Sequence, residues 1–392
     1  MDIINQLDIE LSSLCNAACP CCPRFQSNSP IINEHLYLDY ITIDKFKEWF
    51  PKSILEKVRY LKLCGNHGDL GTNPDLIEIF KYLSNFNFKK LSFNTNGGMK
   101  TPFFWKELAK VCNTFNFKTN PIFSIDGLED TNHSYRRNVN WKKLLKNVKS
   151  FNNTIKNENV EIVWDFLVFK HNEHQLDEVK KLSKKLKFNL VKFKLPINLD
   201  DGENILPISV LDKKGNIDYW IHPTDLSEFK PSYLSDAPNK VYKSIPLFKD
   251  IGEDDNGLTD EDFKTISELK NLKIKPKCSK NNLYVESNGD VYRCCFITNG
   301  IYKYKTHYLN KKYVPIKYKQ LFDSISNIGF EKLNLKYNTL ENIFSNNLLN
   351  KIYNNKWNSN FESGKLLQCS EICGKPNSVD IVYGNKKQKS VI

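Results

Sequence analysis

The 392-residue sequence predicts an α/β chain, a partial (β/α)6 TIM-like barrel followed by a small cysteine-rich α+β domain. Three observations carry this expectation. From residue 5 to about 195, short apolar runs alternate with amphipathic stretches, the mark of repeated βα units and a parallel sheet. Over most of that length the runs recur at steps of roughly thirty residues, the size of one unit. From residue 276 the rhythm is gone, and cysteines return around a hairpin signal.

The six candidate strands are "QLDIEL" (6–11), "VRYLKLC" (58–64), "KKLSFNT" (89–95), "PIFSID" (121–126), "EIVWDFLVF" (161–169) and "LVKFKL" (190–195). Between them lie helical patterns: "TIDKFKEWFPKSI" with Thr42 as its cap, "PDLIEIFKYLSNF" opened by Pro74, "TPFFWKELAKVC", "NWKKLLKNVKSFNNTI" and "NEHQLDEVKKLSKKL". In such folds the loops after the strands carry chemistry. The octet "CNAACPCC" (15–22) follows the first strand and so lies where a site belongs. Residues 1–200 thus read as the barrel and 201–275 as a linker or insertion. That middle part is rich in Pro, Asp and Ser, with little regular structure expected. Its acidic "DIGEDDNGLTDEDF" has some oxygen ligands of a calcium loop but neither the spacing nor the terminal Glu, and reads as a solvated loop. Residues 276–392 form the second domain. There "NLYVES" and "DVYRCCF" flank the turn signal Asn288-Gly289, "LENIFSNNLLNKIYNNKW" is helix-like, and "LLQCSEICGKPN" brings two more cysteines.

Composition narrows the class. The formal charge is +12, but it comes from scattered Lys without an Arg-rich stripe and interleaved aromatics, which argues against nucleic acid. No window approaches the about eighteen apolar residues of a membrane span, and the N-terminus lacks a basic start and long apolar run. The expected location is cytoplasmic. Eleven cysteines in a reducing compartment point to metal ligands or redox groups rather than disulfides.

Cys15, Cys19 and Cys22 make C-x3-C-x2-C on one short loop. Three thiolates there can face three corners of an iron-sulfur cube and leave the fourth iron without a protein ligand. A structural zinc site is normally closed by a fourth donor, so the lone triple favours the open iron; zinc and redox thiols are the alternatives. Cys21 reads as a bystander because vicinal cysteines seldom both ligate one metal. A second set follows. Cys278 and Cys294 bracket the hairpin, and Cys369 and Cys373 return later, giving four thiolates with Cys295 to spare. Between Cys294 and Cys295 the spacing from Gly289 favours Cys294, and zinc remains an alternative to iron-sulfur here. Cys64 and Cys112 read as packed thiols.

The C-x3-C-x2-C loop after the first strand of a βα repeat resembles the radical S-adenosylmethionine (radical SAM) superfamily, although the residue before the third cysteine, often aromatic there, is Cys21 here. The resemblance implies a 4Fe-4S cluster whose open iron chelates SAM, a single-electron cleavage to a 5′-deoxyadenosyl radical, and hydrogen abstraction from a substrate. Gly65, Asn66, Gly68 and Asp69 in "CGNHGDLG" resemble the family's glycine-rich segment that holds the amino group of SAM; His67 reads as a proton donor or as a solvent-exposed turn residue. "NTNGG" (94–98) resembles the family's Thr-Asn-Gly turn. "FSIDGLEDTNHSYRR" is similar to a stretch that implies Ser124 and Asp126 at the ribose and Arg136, preferred over Arg137, on the carboxylate. Asp165 reads either as an inward group or as a buried structural Asp. Residues 276–392 resemble the twitch domain, the shortened SPASM extension, which implies an auxiliary 4Fe-4S cluster on Cys278, Cys294, Cys369 and Cys373. The implied partners are SAM, an external one-electron donor such as flavodoxin or ferredoxin, and a peptide, protein or sugar substrate. Peptide or protein side-chain modification leads. A sugar or nucleotide substrate, and a non-catalytic zinc-binding module, are the alternatives.

Overall fold

A computed structural model describes residues 3–26, 28–196, 207–229, 259–274, 281–298, 301–353, 356, 360–373 and 380–384. Each of the six apolar runs forms a strand: β1 (Ile4–Ile9), β2 (Val58–Leu63), β3 (Lys90–Thr95), β4 (Lys118–Ser124), β5 (Val163–Leu167) and β6 (Leu190–Lys194). They pair in sequence order, all parallel. Because the order never reverses, right-handed crossovers place every connecting helix on one face, which is barrel topology rather than a doubly wound sheet. The sheet does not close among the described residues. Its edges are capped by strands from the C-terminal part.

Alternation along the strands gives the sheet two unlike faces. Ile9, Leu63, Phe93, Phe123, Phe166 and Phe193 are buried, and the core on that side includes Trp105 and Phe151 from the helices Pro102–Cys112 and Trp141–Thr154. Trp105 and Phe151 lie 5.7 and 5.6 Å from the Phe123 ring. The other face carries Asp8, Lys62, Ser92, Asn94, Ser124, Asp165, Lys192 and Lys194.

The helices begin where their caps stand. Thr42, Thr101 and Asn140 each accept a hydrogen bond from a first-turn amide. The first pattern splits into Ile43–Trp49 and Lys52–Leu55, since Pro51 cannot donate to the preceding turn. The middle region departs from the sequence expectation. Residues 207–229 contain a hairpin of β7 (Ile208–Leu211) and β8 (Ile217–Ile221), turned at Gly215 with φ +84°. Part of the acidic run is a helix, Asp260–Leu269, because Thr259 and Asp262 form a reciprocal capping box.

The hairpin at Asn288-Gly289 forms as expected, from β9 (Asn282–Val285) and β10 (Val291–Tyr292), with Gly289 at φ +93°. It does not stand apart. β9 runs parallel to β1 and extends the barrel sheet, while β11 (Asp380–Gly384) closes the other edge antiparallel to β6. Among the described residues no helix is long and apolar enough to cross a membrane.

Candidate metal and cofactor site

The loop after β1 is pinned on all sides. Ser13 donates to Asp39 O, Asp69 N donates to Leu14 O and Ala18 N to Arg137 O. The buried Arg24 guanidinium donates to the carbonyls of Ser13 and His67. On this frame Cys22 N donates to Cys19 O at 3.2 Å, which turns Cys19 and Cys22 into one tight bend.

Donors aim at the sulfurs. Cys15 Sγ accepts from Ala17 N (3.4 Å) and Asn96 Nδ2 (3.6 Å), and Cys19 Sγ accepts from an Arg136 nitrogen at 3.6 Å. Such donors stabilise negative charge on sulfur, as a cluster-bound thiolate needs. Without a metal, burial and then the Asp69 charge push the Cys15 thiol up to about 12. Burial and the Cys19 charge do the same for Cys22, which also reaches about 12. The Cys19 thiol is raised by burial and drawn back by Arg136. These groups therefore bind as thiolates only when a Lewis acid displaces the proton. Cys21 differs: its backbone takes the left-handed region, φ +62°, and its amide donates to Asn28 Oδ1. Among the described residues no three or more His, Cys, Asp or Glu side chains gather as around a single ion. The chemistry of the loop's donor set, three cysteines with N–H donors on two of the sulfurs, is that of an iron-sulfur ligand loop.

Around this loop the predicted contact residues sort themselves. Asp126 is fully buried at the end of β4; it accepts from Arg136 Nε at 2.5 Å and from Leu167 N at 2.7 Å. Burial pushes its carboxyl up and Arg136 draws it down. For Arg136, burial opposes the charge while Asp126 and Cys19 more than restore it. Arg137 instead turns to the β7–β8 hairpin, donating to Leu211 O and lying 3.7 Å from Asp218. Of the two arginines, Arg136 faces the cysteine loop. Ser124 lies on the polar face, opposite Asp165 in the sheet register. Asp165 pairs with Lys194 at 2.6 Å, so it is an inward group with a partner.

The turn after β2 has firm structural duties. An added Cβ at Gly68 would stand 2.0 Å from Ser12 O, and one at Gly65 2.5 Å from Gly68 O; chain packing alone demands both glycines. The Asp69 carboxylate accepts from Thr95 Oγ1, Gly71 N and Asn96 N. Asn66 Nδ2 donates to Cys295 O and Thr298 Oγ1. His67 is not a solvent-exposed turn residue: it is 2% exposed, its amide donates to Glu10 Oε1 at 2.7 Å, and its ring meets the Tyr302 edge at 4.9 Å.

In the C-terminal part, Cys369 and Cys373 lie on one helix, Leu367–Cys373, four residues apart and so on one side of it. That helix packs against the turn Cys295–Thr298, which brings the two later cysteine pairs into one neighbourhood. Cys278 lies outside the described residues. Burial, and then the charge of nearby groups, push the Cys64 thiol up to about 11, with Lys62 drawing it back. Sequence reasoning missed Glu10, Arg24 and Tyr302, and read Asn96 only as a turn residue. Glu10, Arg24 and Tyr302 belong to no motif noted in the sequence, and the contacts of all four that bear on the site are long-range: Glu10 and Arg24 to His67, Tyr302 to Pro23 and Asn96 to Cys15.

No protein-family model matches the chain, and no curated protein matches it. Solved structures resembling it include native anSMEcpe with bound AdoMet, at 17% identity and TM-score 0.46, covering 93% of this chain and 88% of that one. Native anSMEcpe with bound AdoMet and Cp18Cys peptide follows at 16% and 0.44, covering 93% and 87%. Streptococcus suis SuiB bound to precursor peptide SuiA matches at 15% and 0.45, covering 77% of this chain and 61% of that one. The chain thus spans about three fifths of SuiB. At TM-scores below one half, these likenesses decide neither activity nor partners.

Proposed function

We propose that the chain is a radical SAM enzyme: it holds a 4Fe-4S cluster on Cys15, Cys19 and Cys22 and places SAM against it. The observation that supports this most is the conjunction at the end of β1, one buried and two partly buried thiols, with N–H donors aimed at the sulfurs of Cys15 and Cys19, and beside them a guanidinium held by a buried carboxylate. Bound there, the cluster and SAM would supply the one-electron cleavage that yields a 5′-deoxyadenosyl radical. The chain's own residues do the placing. Arg136 offers its charge to an anionic group of the cofactor, oriented by Asp126 from behind. Asn96 and Ala17 hold Cys15, and Arg24 keeps the loop closed. The half-exposed polar side of β4 to β6, with Ser124, Asp165, Lys192 and Lys194, is the floor for the substrate.

For the substrate we hold to a peptide or protein side chain, with a sugar or nucleotide as the rival; a polar floor suits either. The auxiliary site on Cys278, Cys294, Cys369 and Cys373 is proposed as a second 4Fe-4S cluster, and an external flavodoxin or ferredoxin as the electron source. The test is direct. Anaerobically reconstituted protein with dithionite should convert SAM to 5′-deoxyadenosine, and replacing Cys15, Cys19 and Cys22 by Ala should abolish it. Product persisting in the triple variant, or a colourless protein carrying zinc, contradicts the proposal.

A further inference from the structure

The turn after β2, residues 65–68, touches both cysteine-bearing regions through adjacent residues. Asn66 donates from one nitrogen to Cys295 O and to Thr298 Oγ1, at the corner that follows β10. Thr298 is fully buried and itself donates to Cys295 O at 2.8 Å, so the corner is closed on three sides by hydrogen bonds. The next residue, His67, is tied to the first cysteine loop. Its carbonyl accepts from Arg24, which also binds Ser13 O and so ties the two ends of the first cysteine loop together. Its amide is held by Glu10, and its ring packs on Tyr302, whose hydroxyl donates to the carbonyl of Pro23, next to Cys22.

We propose that this turn is a positioning splint between the two cysteine sites: Asn66 fixes the Cys294–Cys295 corner while His67, with Arg24 and Tyr302, fixes the Cys15–Cys22 loop. The proposal rests on the functional reading above only for the identity of the metal. It differs from the cradle role that the resemblance implies for Asn66, because the Asn66 amide group is directed at the C-terminal corner. A splint of two consecutive residues leaves little slack. Shifting one site relative to the other would break hydrogen bonds at both ends of a turn whose glycines lie too close to neighbouring backbone to carry a side chain.

The variants are Asn66→Ala, Thr298→Val and the double, made in the full chain. Hydrogen exchange of the amides in 291–298 and 301–309 should quicken roughly tenfold in Asn66→Ala, the loss of two hydrogen bonds. The double variant should show less than the sum of the singles, since both remove one shared contact. In a second experiment the Cys15, Cys19 and Cys22 to Ala background leaves the C-terminal site alone, and Asn66→Ala should shift the midpoint potential of any cluster there. Unchanged exchange in both segments overturns the splint. So does Asn66→Ala that weakens SAM binding while leaving exchange and potential as in the parent chain. If the protein carries no iron, the functional reading fails, and the exchange measurement still decides the splint.

Discussion

Asp126 is fully buried, and its charge is matched chiefly by Arg136, 18% exposed at the side chain. Removing the guanidinium would strand a carboxylate in the interior. Arg136→Ala should therefore cost about 3 kcal/mol of stability, the low end for a broken buried pair because Arg136 keeps some solvent contact. Arg137, whose pair with Asp218 is 3.7 Å long and half exposed, should cost at most about 1 kcal/mol. Denaturant midpoints of the two alanine variants check this; equal losses would contradict the assignment of Arg136 to the site. A second residue sets a pH dependence. His171 stacks on Phe169 at 5.3 Å, and burial, then His133 and His174, lower its imidazole from 6.5 to about 4. The folded chain keeps it neutral while the unfolded chain protonates it near 6.5. Its contribution is thus present above 6.5 and lost as pH falls toward 4. The loss should be about 2 kcal/mol, less than full burial would give. Urea midpoints followed from pH 7 to 4 should fall more steeply in the parent than in His171→Phe, and parallel slopes would refute it.

At the scale of elements, the turn after β2 is the least forgiving part. The oxygen nearest to an added Gly68 Cβ belongs to backbone, which cannot swing aside as a side chain can. Gly68→Ala should destabilise by about 1–3 kcal/mol and lower iron retention, read by denaturant midpoint and iron content; a variant with parental values of both would show that the loop has slack. The six strands were legible because a strand buried on its helical face leaves an apolar repeat of two, and the loop after β1 because four cysteines share eight positions. The hairpin β7–β8 was not read, although "ISVLDKKGNIDYWI" alternates around a Gly-containing turn; the surrounding Asp and Pro masked it. The helix Asp260–Leu269 hid in an acidic run whose Thr259 and Asp262 are a capping box three residues apart. The pairing of β9 with β1 and of β11 with β6 leaves no local trace, since each joins residues nearly two hundred or more apart.

For the molecule as a whole, the consequence of β9 lying beside β1 is that the two cysteine regions share one sheet. Asp8 stands in register with Lys62 on one side and with Tyr284 on the other, so the end of the barrel and the C-terminal hairpin form a single polar wall. Buried along it, the Glu286 carboxyl is pushed well above its ordinary value by burial and then by the Glu10 charge. A chain built this way ties its C-terminal cysteine region to the sheet that carries the first cysteine loop, an arrangement that would suit electron exchange if both held the clusters proposed above. On the proposed reading, that arrangement serves a loop that would supply three thiolates to a cluster and leave one iron for a small molecule. Magnetic resonance of the reduced, reconstituted protein with SAM labelled by nitrogen-15 at the amino group and oxygen-17 at the carboxylate tests this most directly. The account predicts hyperfine coupling of both labels to one iron of the cluster held by Cys15, Cys19 and Cys22; a metal there bound by four protein donors, with neither label coupled, would contradict it.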